Sequence, residues 1–165
     1  MREKAGRADL LPSLGIIVGG ALWGIYWLPL RYIDELGLGP GWAGGVIYGI
    51  VFLLLLPFAM QRRRSLVAGG FGLFLTGVLT GSAFALYAAA IVLTEVVRVL
   101  LLFYLTPVWS TLLGLLLLGE RLTWNRLLAL VFGFVGLLVV LGLGTQFPWP
   151  RNLGDWLALG AGLLW

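Results

Sequence analysis

Long apolar runs joined by short polar stretches dominate the chain: residues 11–30, 42–60, 66–118 and 127–143 carry almost no charge, and another apolar run follows from 156. A bilayer core about 30 Å thick takes about 20 apolar residues as helix, at 1.5 Å of rise per residue. The third run is too long for one crossing and is interrupted around Glu95 and Arg98, so it divides into helices over 66–93 and 96–118. The pattern therefore predicts an all-α, polytopic membrane helix bundle of five transmembrane helices. The stretch 155–165 reaches only about 15 Å as helix and reads as a truncated sixth.

Composition supports this reading. Hydrophobic residues make up 61% of the chain and charged residues 11%, against about 25% charged in soluble domains. The 25 glycines suit helices that approach closely in lipid. With no Cys and no His, thiolate and imidazole metal sites, disulfides and histidine proton relays are excluded, and no metal or other cofactor is expected.

The net charge of +4 is an orientation signal rather than a nucleic-acid one, because the bases lie in short loops beside apolar runs. Arg2, Lys4, Arg7, Arg62, Arg63, Arg64, Arg121 and Arg126 fall on one side of the predicted bundle, and only Arg31, Arg98 and Arg151 on the other. This places the N-terminus in the cytoplasm, and the plasma (inner) membrane is the expected location. The divisions are a cytoplasmic tail over 1–10, a five-helix unit over 11–143, a linker over 144–154 and the start of a second unit over 155–165.

An odd number of spans inverts whatever unit follows, an arrangement used by many secondary transporters. Gly162-Leu163-Leu164-Trp165 echoes Gly20-Ala21-Leu22-Trp23, as the opening of a second copy would. Further local patterns are Ala21-Leu22-Trp23-Gly24, Thr106-Pro107-Val108-Trp109, Leu118-Gly119-Glu120-Arg121-Leu122-Thr123, and the pair Gly133 and Gly136. Through these the chain resembles the drug/metabolite transporter superfamily with its EamA-type domain. The resemblance implies ten helices in two inverted repeats, a central cavity lined by the first four helices of each repeat, and a peripheral fifth helix. The implied partners are the lipid bilayer, a small-molecule solute, and a second five-helix repeat or a homodimer partner.

Several side chains are candidates for a solute pathway. Trp23, Tyr26 and Trp27 form an aromatic stripe on the first helix, and Trp23 lies too deep for the interfacial belt that suits Trp42, Trp124, Trp149 and Trp156. On the third helix, 100° steps bring Thr76, Thr80, Ala83 and Tyr87 to one face beside a small-residue stripe of Gly70, Gly77, Gly81 and Ala88. The two threonines either face a cavity or bond back to their own helix. Glu95 and Arg98 share the first turn of the fourth helix with Thr94 as its cap. They read either as an interfacial anchor or as a gate, with Trp109 on the same side. Pro29 and Pro107 are candidate hinges, while Glu120 and Arg121 read as a helix-end anchor. No nucleophile and base pair, paired carboxylates or phosphate loop is apparent, so the expected function is not enzymatic. It is secondary transport or export of small organic metabolites or drugs by alternating access; a non-transporting membrane scaffold or an inactive half-transporter fragment is the alternative.

Overall fold

The computed structural model describes residues 2–140 and 149–165, with side chains described from residue 12 onward except at positions 40, 137, 138 and 140. Residues 141–143 of the expected fifth span, residues 144–148 of the expected linker, and the basic side chains of Arg2, Lys4 and Arg7 lie outside this description.

The described residues are helical, without strands. Helix α1 (Arg2–Ile25) and α2 (Trp27–Ile33) lead through a wide turn, Asp34–Leu38, into α3 (Pro40–Gln61). The short α4 (Arg63–Ala68) precedes α5 (Gly70–Leu93); then come α6 (Val96–Phe103), α7 (Thr106–Leu117), α8 (Trp124–Val140) and α9 (Leu153–Leu164). The reversal before α3 depends on Gly37 and Gly39, whose φ angles of 88° and 74° are costly for any residue with a Cβ. Four stretches are long and apolar enough to cross a bilayer: Pro12–Leu38, Gly41–Gln61, Gly70–Leu93 and Val96–Leu117. Trp124–Gly136 and Leu153–Leu164 are apolar but shorter.

The expected continuous helices over 11–30, 66–93 and 96–118 are each broken. Pro29 and Pro107 lack the N–H that would reach the carbonyls of Ile25 and Phe103, and the chain interrupts its helix at Tyr26 and at Tyr104–Leu105. Gly69 separates α4 from α5, whose first residue, Gly70, takes a φ of 60°. A helix-period pattern remains apolar across such breaks, so periodicity alone does not mark them.

Residue pairings give the directions. Arg31 reaches Thr94 and Trp23 packs on Phe84, so α1–α2 runs parallel to α5. Tyr48 on α3 bonds to the carbonyl of Phe84, and a Cβ on Gly44 would meet Ala88, so α3 is antiparallel to α5. Gly154 lies against Leu93 and Thr94, and Gly160 against Leu86. Helix α9 thus descends along α5 and opposes α1, while running parallel to α6.

Packing is concentrated at one end. Leu30, Ala43, Ala88, Ala90, Ile91, Val99, Leu102, Ala158 and Ala161 are buried around the Thr94 end of α5, where small residues let α3 and α9 approach. At the Arg63 end the helices splay: Ile17, Phe52, Leu54, Phe71, Phe74 and Leu117 are exposed. In a chain of this composition those apolar faces are dressed by lipid or by further membrane helices.

Candidate functional site

The splayed and packed halves meet at a cluster of rings. Trp23 stacks on Tyr26, with centroids 5.5 Å apart and planes 2° apart, and on Tyr87 at 5.5 Å and 16°. Phe84 presents its edge to Trp23 at 5.6 Å and to Trp165 at 5.2 Å, while Phe103 meets Tyr87 at 5.0 Å. Such offset and edge-on pairs each add about 0.5–1.5 kcal/mol beyond their buried area. Together Trp23, Ala83, Phe84, Tyr87, Phe103 and Trp165 line a cavity of about 120 Å³, with walls from α1, α5, α6 and the residue that follows α9.

Backbone breaks shape this cavity. Since Pro107 cannot donate to the Phe103 carbonyl, the Thr106 hydroxyl does so at 2.6 Å, and Gly162 of α9 lies against the same carbonyl. On the other side the Tyr26 hydroxyl donates to Tyr48 Oη at 2.5 Å, and Tyr48 donates to the Phe84 carbonyl at 3.0 Å. This relay fixes Tyr26, and through it the stacked face of Trp23, to α5.

Above the cavity, at the Thr94 end, a polar vestibule of about 520 Å³ is lined by Arg31, Asp34, Glu35, Glu95, Arg98 and Arg151, among others. Its floor is an ion pair: Arg98 Nη2 lies 2.5 Å from Asp155 Oδ2, and the Asp155 side chain is fully buried. The Arg31 guanidinium donates to the Thr94 carbonyl at 3.0 Å.

Trp23, Tyr26 and Tyr87 come together as one site, and Trp27 packs against the core beside it. Tyr48, Phe84, Phe103 and Trp165 complete the ring cluster, although none was a sequence candidate. Thr76 bonds back to the Gly72 carbonyl at 2.9 Å, and Thr80 is half-buried outside the cavity lining. Trp109 is half-buried, its indole N–H without a hydrogen-bond partner among the described residues, and also lies outside that lining.

Two local expectations are corrected. Arg98 pairs with Asp155 rather than Glu95, which is exposed on the vestibule rim. Thr94 does not cap α6; its hydroxyl donates to Asp155 Oδ1 at 3.0 Å. At the far end Glu120 pairs with Arg126. A larger cleft of about 1180 Å³ separates α6–α7 from α8, but its walls are mostly aliphatic and its two charged residues neutralise each other, so little there would orient a solute.

The model of the EamA-like transporter family matches residues 10–142. The chain belongs to this family. It is an integral, multi-pass membrane protein of the drug/metabolite transporter type, and the family is one of transporters rather than enzymes. No curated protein and no solved structure matches it. Within this EamA-like chain the matched region holds the ring residues from Trp23 to Phe103, while Asp155 and Trp165 lie beyond it.

Proposed function

We propose that this EamA-like protein is a secondary transporter or exporter of small organic metabolites or drugs that works by alternating access. The 11–143 unit supplies five spans, and α9 opens a second, inverted unit, contributed by continuing chain or by a homodimer partner. The reading places the N-terminus in the cytoplasm and the protein in the plasma (inner) membrane. Trp23, Tyr26 and Tyr87 line the solute pathway, Trp27 on α2, Thr76 and Thr80 on α5 and Trp109 on α7 flank it, and Glu95 and Arg98 stand at its mouth. Pro29 and Pro107 act as hinges.

The observation that carries the proposal is the ring-lined cavity between two proline-linked helix breaks, beneath a polar vestibule. Rings give a solute apolar contact area with few bonds to immobilise. The breaks let the adjoining helix segments tilt without stripping hydrogen bonds from a continuous helix. The antiparallel course of α9 relative to α1 favours inversion.

The test is efflux of a panel of radiolabelled organic solutes from cells carrying the protein with its second unit. Trp23→Ala and Tyr87→Ala should lower the flux at matched membrane abundance, whereas Trp124→Ala, exposed at the start of α8, should not. Equal losses in all three would remove the cavity from the pathway. Flux no different from empty cells across the panel would leave the scaffold reading.

A further inference from the structure

Asp155 is the buried charged residue of the described core, and its carboxylate is saturated. Oδ1 accepts from the Thr94 hydroxyl at 3.0 Å and from Arg98 Nε at 3.3 Å; Oδ2 accepts from Arg98 Nη2 at 2.5 Å and from the Arg151 backbone N–H at 3.0 Å. Asn152 donates to the Thr94 hydroxyl at 3.1 Å and accepts from the Asp155 N–H at 2.9 Å, capping α9. Arg98 also donates to the Trp149 carbonyl at 3.1 Å. One carboxylate thereby ties together the end of α5, the start of α6 and the start of α9.

Three features distinguish this arrangement from an inert core pair. The first is position. Along α5, Thr94 stands seven residues above Tyr87, about 10 Å as helix, so the network separates the vestibule from the ring cavity. The second is access to water. Arg98 lines the vestibule while Asp155 is sealed beneath it, so on separation the guanidinium has a polar space to enter instead of an apolar core. The third is the element that carries Arg98. Helix α6 is a short rod set between extended backbone at Thr94 and Glu95 (φ −145° and −66°, ψ 179° and 133°) and the break at Tyr104–Leu105. Its other end carries Phe103, a wall of the cavity. A tilt of this rod therefore moves the ion pair and the cavity wall together.

The geometry points to a latch: Arg98 on α6 and Asp155 on α9, clamped by Thr94 and Asn152, close the Thr94 end of the solute path, and α6 is the lever that opens it. The inference rests on the transport reading. It assigns Asp155, Asn152 and Thr94 as gate-positioning residues. It also accounts for the packing asymmetry: the structure is closed at the latched end and splayed at the other.

The test uses the whole chain with Ala83→Cys as a reporter in the cavity wall, there being no native Cys. A charged, membrane-impermeant methanethiosulfonate is applied in turn from each side of oriented membrane vesicles. The unaltered latch should give slow labelling from the side of the membrane on which Pro150 lies. Asp155→Asn and Arg98→Gln should each raise that rate about tenfold or more and leave the rate from the opposite side unchanged. The reciprocal exchange, Arg98→Asp with Asp155→Arg, should bring it part of the way back. Unchanged rates would overturn the latch. An equal rise from both sides would overturn it too, since that is the signature of a loosened core. Solute flux measured in the same vesicles separates the two proposals: latch-dependent labelling without flux refutes transport alone, and flux with latch-independent labelling refutes the latch alone.

Discussion

Replacing Gly162 by Ala tests how tightly α9 is seated, and the structure sets the size of the effect. A Cβ at position 162 would stand 2.8 Å from the Phe103 carbonyl oxygen and 3.2 Å from Thr106 Oγ1, where a C–H···O contact normally needs about 3.3–3.6 Å. The obstructing atom is backbone, held by the Thr106 hydroxyl at 2.6 Å, so it cannot rotate away as a side chain would. Forcing a methyl group into such a contact costs about 1–3 kcal/mol. The gain in helix propensity from Gly to Ala, about 1 kcal/mol, partly hides this loss. Gly160→Ala serves as the control, since it carries the same propensity gain on the same helix while its added Cβ meets only Leu86 Cδ1 at 3.4 Å. The difference between the two variants therefore isolates the steric cost. At about 2–4 °C per kcal/mol for a chain of this size, Gly162→Ala should melt roughly 2–12 °C below Gly160→Ala. The assay is thermal unfolding of the purified chain in detergent, followed by far-ultraviolet circular dichroism. Equal melting temperatures would mean that α9 does not sit on the Phe103 carbonyl.

Cysteines placed singly at Arg63 and Pro150 should react with impermeant reagents from opposite sides of the membrane; reaction from one side would refute the orientation. Tyr48→Phe removes the acceptor for Tyr26 and the donor to the Phe84 carbonyl. It should cost about 1–2 kcal/mol in thermal stability, and a silent substitution would show that the relay does not hold Tyr26. Glu120→Gln should change stability by less than about 1 kcal/mol, because its pair with Arg126 is half-exposed and such pairs contribute little; a larger loss would mark that pair as structural.

The membrane class, the apolar runs and the aromatic stripe of the first helix were legible because each depends on local pattern: run length, charge density and 100° spacing. The site was only half legible for the same reason. Tyr48 sits in Gly45-Val46-Ile47-Tyr48-Gly49-Ile50, a helix apolar on every side, so no periodicity marks which face meets α1 and α5. Phe103 and Trp165 become cavity walls only through the break at Tyr104–Leu105 and the docking of α9, both long-range consequences. Arg98 shows the limit most sharply. Spacing of three residues made Glu95 its natural partner, yet the chosen carboxylate lies 57 positions away.

The preference has a physical basis. Glu95 lies at the exposed rim, where an ion pair gains little over hydration, whereas Asp155 sits where a lone charge would be intolerable and must be matched by several donors at once. One signal did exist in the chain itself. Asn152 precedes Asp155 by the spacing at which an Asn N-cap accepts from the backbone N–H three residues on, which puts the acid in the first turn of an apolar helix. An acid so placed has little water of its own and needs a cation from elsewhere in the bundle. Of the arginines on the predicted outer side, Arg98 alone is carried near the start of a long apolar run. The pairing thus follows from asking which buried charge requires a partner, rather than which charges are neighbours in sequence.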